Sequence, residues 1–357
     1  MNDKPNPQRP EFFGQVGGEA LMEGLMMRGP KGAAVAVRLP SGEIDVSLKP
    51  GTLPKDKYPI LGWPLIRGPV SLVYSMIFGY KCLMESADKA TQGLMEEAAA
   101  QEDSSKLDKW LEEHLGPQLM TVIGVVGSVL GVALALGLFV WAPELLLKWI
   151  EKLSSADLTH VKALISGGIR VVLFVGYMFV MSLLPDIRRV FQYHGAEHKT
   201  IFCYESGLEL TVENVKKQSR LHPRCGTSFM FLMILLSILL SSLLFAIWPQ
   251  LSLTATARVC IKILQFPVIM ALGYEFIRFA GKHLENPIVK IISFPGLCTQ
   301  RITTKEPDEE IIEVGIAALK ASLGETWKQE PVLIEGADTI AGDDAAPGSF
   351  MGTEQTE

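Results

Sequence analysis

The residues most suited to metal chemistry lie in one short stretch, Tyr193 to Lys199, between two long apolar segments. The stretch has the form His-x-x-Glu-His, with His194 and His198 four residues apart and Glu197 before the second histidine. In a helix these imidazoles lie one turn apart on one face, where they can share a metal ion. The pattern is also that of the inverted zinc peptidases. It predicts a divalent metal on the two histidines, with Glu197 as the general base of a hydrolytic reaction.

A second cluster, His222 to Gly226, adds one imidazole and one thiol, and Lys199 and Arg224 are further site candidates. His222 or Cys225 completes the metal shell if the segment between the clusters folds back, and Thr211 caps a short helix there. A shell of histidine and cysteine favours zinc.

Three observations favour other interpretations of the two clusters. Gly195 weakens a helix by roughly 1 kcal/mol, and the sequence does not identify the usual third ligand of an inverted zinc peptidase. Arg224 beside Cys225 suits a phosphate or a lipid headgroup. The clusters can also form a structural polar network in which His198 bonds a carboxylate.

The glycine- and methionine-rich stretch Gly14 to Pro30 contains two more site candidates, Glu23 and Arg28. Because methionine fills irregular gaps in a core, we favour a packed strand or turn here over a site.

The composition indicates a membrane protein with sizeable soluble parts, because 48% of the 357 residues are hydrophobic and the mean hydropathy is +0.26. The net charge of -6 and the absence of a long basic run argue against nucleic-acid binding. Five scattered cysteines without a CxxC pair argue against a disulfide framework. Met1 to Pro10 lacks the apolar core of a signal peptide, so we expect the first soluble part to stay in the cytosol.

Four apolar segments predict transmembrane helices: Leu119–Ala142, Ala163–Leu184, Thr227–Trp248 and Val259–Ala280. Gly127 and Gly131 give the first span a small face that predicts self-association. Arg170 and Glu275 interrupt the second and fourth spans near their ends. We expect both to be interfacial anchors, with Arg170 reaching outward or finding a partner.

The sequence thus predicts a mainly α integral membrane protein with about four spans and small soluble parts. Residues 1–13 are a flexible tail, and 14–118 form a cytoplasmic part with a β-hairpin over Ala33–Leu48 and a helix over Val70–Ala87. The membrane region 119–280 includes a loop over 185–227. A segment over 281–328 contains a helix at Pro307–Leu323, and 329–357 form a disordered acidic tail.

The distribution of basic residues predicts the orientation. The loop 249–256 has none, whereas the loop 185–227 has seven: Arg188, Arg189, Lys199, Lys216, Lys217, Arg220 and Arg224. The positive-inside rule therefore places the histidine loop and both termini in the cytoplasm, at a bacterial inner membrane.

Several long motifs resemble the YqhQ-like family of bacterial multi-pass membrane proteins of unknown function. They are Gly17 to Pro30, Tyr193 to Lys199, Leu210 to Val215, His222 to Phe229 and Gln300 to Pro307, within residues 14–323. Glu19 departs from the glutamine expected in many members. The resemblance implies a multi-pass protein that is labelled a predicted metal-dependent enzyme. It does not identify a substrate.

Three function classes remain after this comparison. The first is a metal-dependent membrane enzyme, a hydrolase, with its site on the cytoplasmic face. The second is a non-enzymatic membrane scaffold or partner-binding protein. A transporter ranks third because the spans have few polar residues near their middles.

Overall fold

The computed structural model describes residues 10–50, 57–100, 126–154, 161–252, 254–283 and 286–325. This part is mainly helical, with a small antiparallel sheet near its N-terminus, as the apolar segments and the hairpin pattern predict. The predicted tail 329–357, most of tail 1–13 and the first residues of the predicted first span lie outside the described residues.

The described strands form one antiparallel sheet in chain order, β1 (Gly17–Leu21), β2 (Gly24–Gly29), β3 (Gly32–Arg38) and β4 (Ile44–Lys49). The predicted hairpin is β3–β4, with Val35 opposite Ser47. The glycine- and methionine-rich stretch supplies β1 and β2, which confirms the strand interpretation of that stretch.

Besides two short 3-10 helices, Pro59–Gly62 and Pro249–Ser252, the described part contains nine helices: α1 (Arg67–Ala100), α2 (Val126–Leu153), α3 (Lys162–Met181), α4 (Pro185–Glu205), α5 (Val212–Lys216), α6 (Gly226–Ile247), α7 (Ala255–Lys282), α8 (Pro287–Thr303) and α9 (Glu309–Leu323). In the described part, the four helices long and apolar enough to cross a membrane are α2, α3, α6 and α7. They match the predicted spans, except that α2 continues to Leu153 through a π-helical turn at Gly137–Trp141.

Helices cover both faces of the sheet. Leu25 and Met27 pack with α4 and α9, whereas Met26 and Val35 pack with Cys82 of α1. Because both faces are buried, β3 is almost continuously apolar and does not alternate. The helix α1 is longer at both ends than the predicted Val70–Ala87.

Arg170 is partly buried and has charged partners on neighbouring spans, which is one of the two outcomes predicted for it. The Glu144 carboxylate accepts bonds from Arg258 Nε and Lys262 Nζ, both at 2.7 Å, and Arg170 lies 3.7 Å from it. Arg170 Nε also donates to the Phe139 carbonyl at 3.2 Å, within the π-helical turn. The π turn interrupts the regular i→i−4 bonding pattern, and this guanidinium bonds a carbonyl there. Glu275 is bonded by Arg67 of α1 at 2.7 Å.

The segment 185–227, predicted as a loop, is mostly helical. It contains the 21-residue α4 and the short α5, whose predicted cap is present because Thr211 Oγ1 accepts from Asn214 N at 3.3 Å. The α4 helix packs on α9 and the sheet. The predicted helix over Pro307–Leu323 is α9, capped by Asp308, and the segment before it contains α8.

Candidate metal centre

The two histidines of the first cluster lie side by side on α4, as their spacing predicts. Their ring centroids are 4.5 Å apart. Another side of α4 anchors the helix, because Tyr193 and Ala196 belong to the core formed with the sheet and α9. The histidine face is therefore held in a fixed orientation.

Both imidazoles use Nδ1 to bond a backbone carbonyl. His194 Nδ1 donates to Thr303 O at 2.9 Å, and His198 Nδ1 donates to Arg220 O at 2.6 Å. A carbonyl only accepts, so each Nδ1 carries the proton when the ring is neutral, and each Nε2 then presents a lone pair. Bonds from Nδ1 to carbonyls are the usual outer-shell support of histidine ligands.

Cys225 supplies the third donor atom. His194 Nε2 is 3.1 Å from Cys225 Sγ, and one donor atom from each of His194, His198 and Cys225 lies within 4.8 Å of the other two. In a tetrahedral zinc site an N···S pair lies about 3.6 Å apart. Small side-chain movements would therefore bring the three atoms to ligand spacing.

The sulfur is also placed at the N-terminus of α6. Cys225 is the N-cap of this helix, and its sulfur accepts from Thr227 N at 3.4 Å. A helix N-terminus presents N–H donors and the positive end of the macrodipole. This environment suits a thiolate ligand.

Gln300 of α8 fixes the turn that leads to Cys225. It is fully buried, its Oε1 accepts from His222 N at 2.7 Å, and its Nε2 donates to His222 O at 2.7 Å. Arg220 Nη1 donates to Thr304 O at 2.9 Å. These bonds hold the Arg220 carbonyl and the cysteine turn against the chain that follows α8.

Gly195 allows the close approach of α4 to the segment after α8. A Cβ at this position would overlap the Lys305 carbonyl oxygen. The two segments are joined here by the bond from Lys305 N to Phe191 O, at 2.8 Å. The glycine that weakens an isolated helix therefore lets Thr303 reach His194.

Glu197 lies beside the three donor residues, not among them. It is 7% exposed and its carboxylate accepts a hydrogen bond from the backbone N–H of Gly18 in β1. Burial raises the pKa of Glu197 to about 7, with nearby His194 lowering it and Glu19 raising it. A Cβ on Gly18 would lie 2.9 Å from Glu197 Cγ, so the glycine leaves room for this side chain.

His222 lies outside the cluster of possible donor atoms formed by His194, His198 and Cys225. Its Nδ1 accepts from Arg224 N at 3.3 Å, and its ring packs against Phe202 with a centroid distance of 4.6 Å. Burial, followed by the charges of Arg224 and His198, lowers the pKa of His222 to about 2. His222 is thus a buried, neutral neighbour of the centre.

The other predicted candidates lie in ion pairs or in a different cavity. Lys199 pairs with Glu306, Arg224 pairs with Glu205, and Glu23 is bonded by Arg189 and Tyr193. Arg28 lines a cavity against α1. The pairing of Arg224 with a carboxylate argues against the phosphate interpretation of that residue.

Four supporting residues were not predicted: Gln300, Thr303, Arg220 and Gly18. Three of them stand in motifs quoted above, Gly18 in Gly17 to Pro30 and both Gln300 and Thr303 in Gln300 to Pro307, and these motifs were the available signals. Any residue type can supply a backbone carbonyl, so the sequence could not predict that Arg220 O accepts from His198. His198 bonds a backbone carbonyl and not the carboxylate considered above.

Comparison with known proteins places the chain among uncharacterised sequences. The family described as "Protein of unknown function (DUF1385)" matches residues 63–325. The chain is also 32% identical over 311 residues to "Uncharacterized protein YqhQ" of Bacillus subtilis (strain 168), which covers 86% of this chain and 92% of that protein. No solved structure matches the chain.

Proposed function

The chain belongs to the DUF1385 family of unknown function, and from its own residues we propose that it is a metal-dependent membrane enzyme. The metal is a divalent transition ion, zinc by preference, bound by His194, His198 and Cys225. Glu197 is the proposed general base of a hydrolytic reaction.

One observation carries the metal proposal: His198 Nε2 is buried and has no hydrogen-bond partner among the described residues. With Nδ1 bonded to the Arg220 carbonyl, the lone pair of Nε2 is uncompensated, and His198 belongs to one donor cluster with His194 and Cys225. An unsatisfied buried polar atom costs about 1–3 kcal/mol. A bound cation removes this cost and also uses the lone pair of His194.

The donor set favours zinc over the hard cations. Two imidazoles and a thiolate suit a borderline metal, whereas magnesium and calcium take oxygen ligands. Three protein ligands also leave a fourth position of a tetrahedral ion for water or substrate, which is typical of catalytic zinc sites and not of structural ones.

The hydrolytic role rests on the place of Glu197. A carboxylate beside a three-ligand zinc site acts as general base towards the water that the metal activates. Gly18 N–H orients this carboxylate, and burial keeps bulk water from it. A Glu197→Gln variant that keeps its metal and loses function supports the enzyme, and unchanged function in that variant supports the scaffold alternative.

The proposed location is a bacterial inner membrane, with both termini and the metal centre on the cytoplasmic side. The basic residues of 185–227 support this side, and reduced thiols there leave Cys225 free to bind metal. Gly127 and Gly131 are exposed, and a Cβ on either would touch nothing within 4 Å, so this small face remains available for self-association.

Cobalt(II) titration of the metal-stripped protein in detergent tests the donor set. We expect tetrahedral d–d bands and a thiolate-to-cobalt charge-transfer band in the wild type. Cys225→Ser should lose the charge-transfer band, and Cys298→Ser, which changes a thiol on α8 outside the donor group, should keep it. A wild type without the charge-transfer band would contradict the thiolate ligand.

A further inference from the structure

A polar cavity of about 530 Å³ lies where the start of α1 meets the end of α7. Its lining includes three arginines from three separate elements, Arg28 of β2, Arg67 of α1 and Arg278 of α7. Ser71 and Tyr274 add hydroxyl groups to its wall. Its volume falls in the range of small-molecule sites and exceeds that of a single inorganic anion.

Arg28 is held in position with part of its guanidinium unused. Its Nη1 donates to Ser75 Oγ at 3.3 Å, and its guanidinium carbon lies 4.9 Å from the Phe78 ring centroid. Its Nη2 is buried and has no hydrogen-bond partner among the described residues. Nearly all buried donors in proteins have an acceptor, so this N–H leaves Arg28 with an unused donor behind the cavity wall.

The nearby carboxylates leave an excess of positive charge. Glu275 is bonded by Arg67 through Nε and Nη2, and Arg278 is a second, weaker neighbour of the same carboxylate, so two of the three arginines share one negative charge. Glu19 is the carboxylate near Arg28, but it packs against Gly79 of α1 and is not among the lining residues. Burial raises the pKa of Glu19, and the charge of Arg28 acts in the opposite direction.

An apolar surface beside the cavity indicates a membrane source for the ligand. Val73, Met76, Ile77 and Tyr80 form a stripe on α1 and are 50–66% exposed, and Trp63 in the preceding turn is 59% exposed. Another side of α1 packs on α7, where Gly68 lies against Met270 and Tyr274. A helix with such a face lies in the interfacial layer of a bilayer.

We propose that the cavity binds the phosphate headgroup of an anionic membrane lipid, with Arg28, Arg67 and Arg278 around the phosphate and the acyl chains against the α1 stripe. Arginine forks bind phosphate oxygens in pairs, and three of them give selectivity for an anionic lipid over a zwitterionic one. The site is separate from the metal centre and does not depend on it.

The test is thermal unfolding of the detergent-purified full chain during titration with dioleoyl phosphatidylglycerol or dioleoyl phosphatidylcholine. We expect phosphatidylglycerol to stabilise the wild type at lower concentrations than phosphatidylcholine does. Arg28→Gln and Arg278→Gln should each raise the half-maximal concentration about tenfold, the effect of one lost charge-assisted bond. Arg301→Gln, which changes an exposed arginine of α8 outside the cavity, is the matched control.

Arg278 is exposed, so its variant stays informative if Arg28→Gln unfolds the sheet. Equal stabilisation of the wild type by both lipids, or unchanged titrations in Arg278→Gln, would overturn the proposal. Glycerol 3-phosphate forms the water-soluble arm. If it stabilises the wild type as strongly as the lipid, and the same variants lose the effect, the lipid assignment is overturned in favour of a soluble phosphate ligand.

Discussion

Gly195→Ala separates the role of close packing from that of helix propensity. Alanine is favoured over glycine in a helix interior by about 1 kcal/mol. At this position, however, the added Cβ would lie much closer than 3.0 Å to the Lys305 carbonyl oxygen. Contacts shorter than 3.0 Å require the backbone to move. The helix α4 and the segment 303–305 must therefore separate.

The size of the effect follows from the bonds that cross this contact. A separation of about 1 Å carries the Lys305 N to Phe191 O bond, now 2.8 Å, and the His194 Nδ1 to Thr303 O bond, now 2.9 Å, beyond hydrogen-bonding distance. Two lost bonds cost about 0.5–1.5 kcal/mol each, and overpacking costs about 1–3 kcal/mol. After the gain of about 1 kcal/mol in helix propensity is subtracted, the variant should be about 1–5 kcal/mol less stable.

The assay is thermal unfolding in detergent together with zinc affinity by competition with a chelator. At roughly 2–4 °C per kcal/mol, the melting temperature should fall by several degrees. Because His194 loses its supporting carbonyl, zinc should bind about 10- to 100-fold more weakly. Gly168→Ala is the control, since a Cβ there touches nothing within 4 Å. A Gly195→Ala protein with unchanged stability and zinc affinity would refute the reasoning.

Three further predictions concern the membrane region and the termini. Glu144→Gln leaves three cations without their shared carboxylate, so it should lower the free energy of unfolding by about 3–5 kcal/mol, measured by thermal unfolding. Glu151→Gln breaks a more exposed pair and should lower it by less than about 1 kcal/mol. Equal losses of stability in the two variants would contradict the buried network. An impermeant thiol reagent on intact cells should label Gln250→Cys but not Leu208→Cys, both exposed positions; the reverse pattern would contradict the proposed orientation. Deletion of residues 329–357 should leave the melting temperature unchanged, because this composition cannot bury a core; a lower value would contradict that.

Local spacing explains what the sequence could predict of the site. His194 and His198 are four residues apart, so one helical turn brings them together whatever the rest of the chain does. The sequence leaves the choice between His222 and Cys225 open because both residues lie in one short turn. The orientation of this turn depends on the bond between His222 N and Gln300, which is 78 residues further along the chain.

Long-range packing also explains what the sequence predictions left out. The loop 185–227 between two spans has many charges, yet Lys199 and Glu197 in it are buried, with partners from the α8–α9 connection and β1. Arg170 was expected to be an interfacial anchor that reaches outward or finds a partner, and the partner was not identified because Glu144 lies beyond the predicted end of the first span. Gly195 counted against a helix by propensity, and only the neighbouring Lys305 carbonyl shows why glycine is required there.

Elemental analysis of the protein purified from zinc-replete cells tests the metal centre most directly. The wild type should contain about one zinc ion per chain, and His194→Ala, His198→Ala and Cys225→Ala should each lose most of it. His283→Ala and Cys298→Ala, which change the same residue types outside the donor group, should retain it. A metal-free wild type, or equal zinc in all five variants, would contradict a metal centre at these three residues.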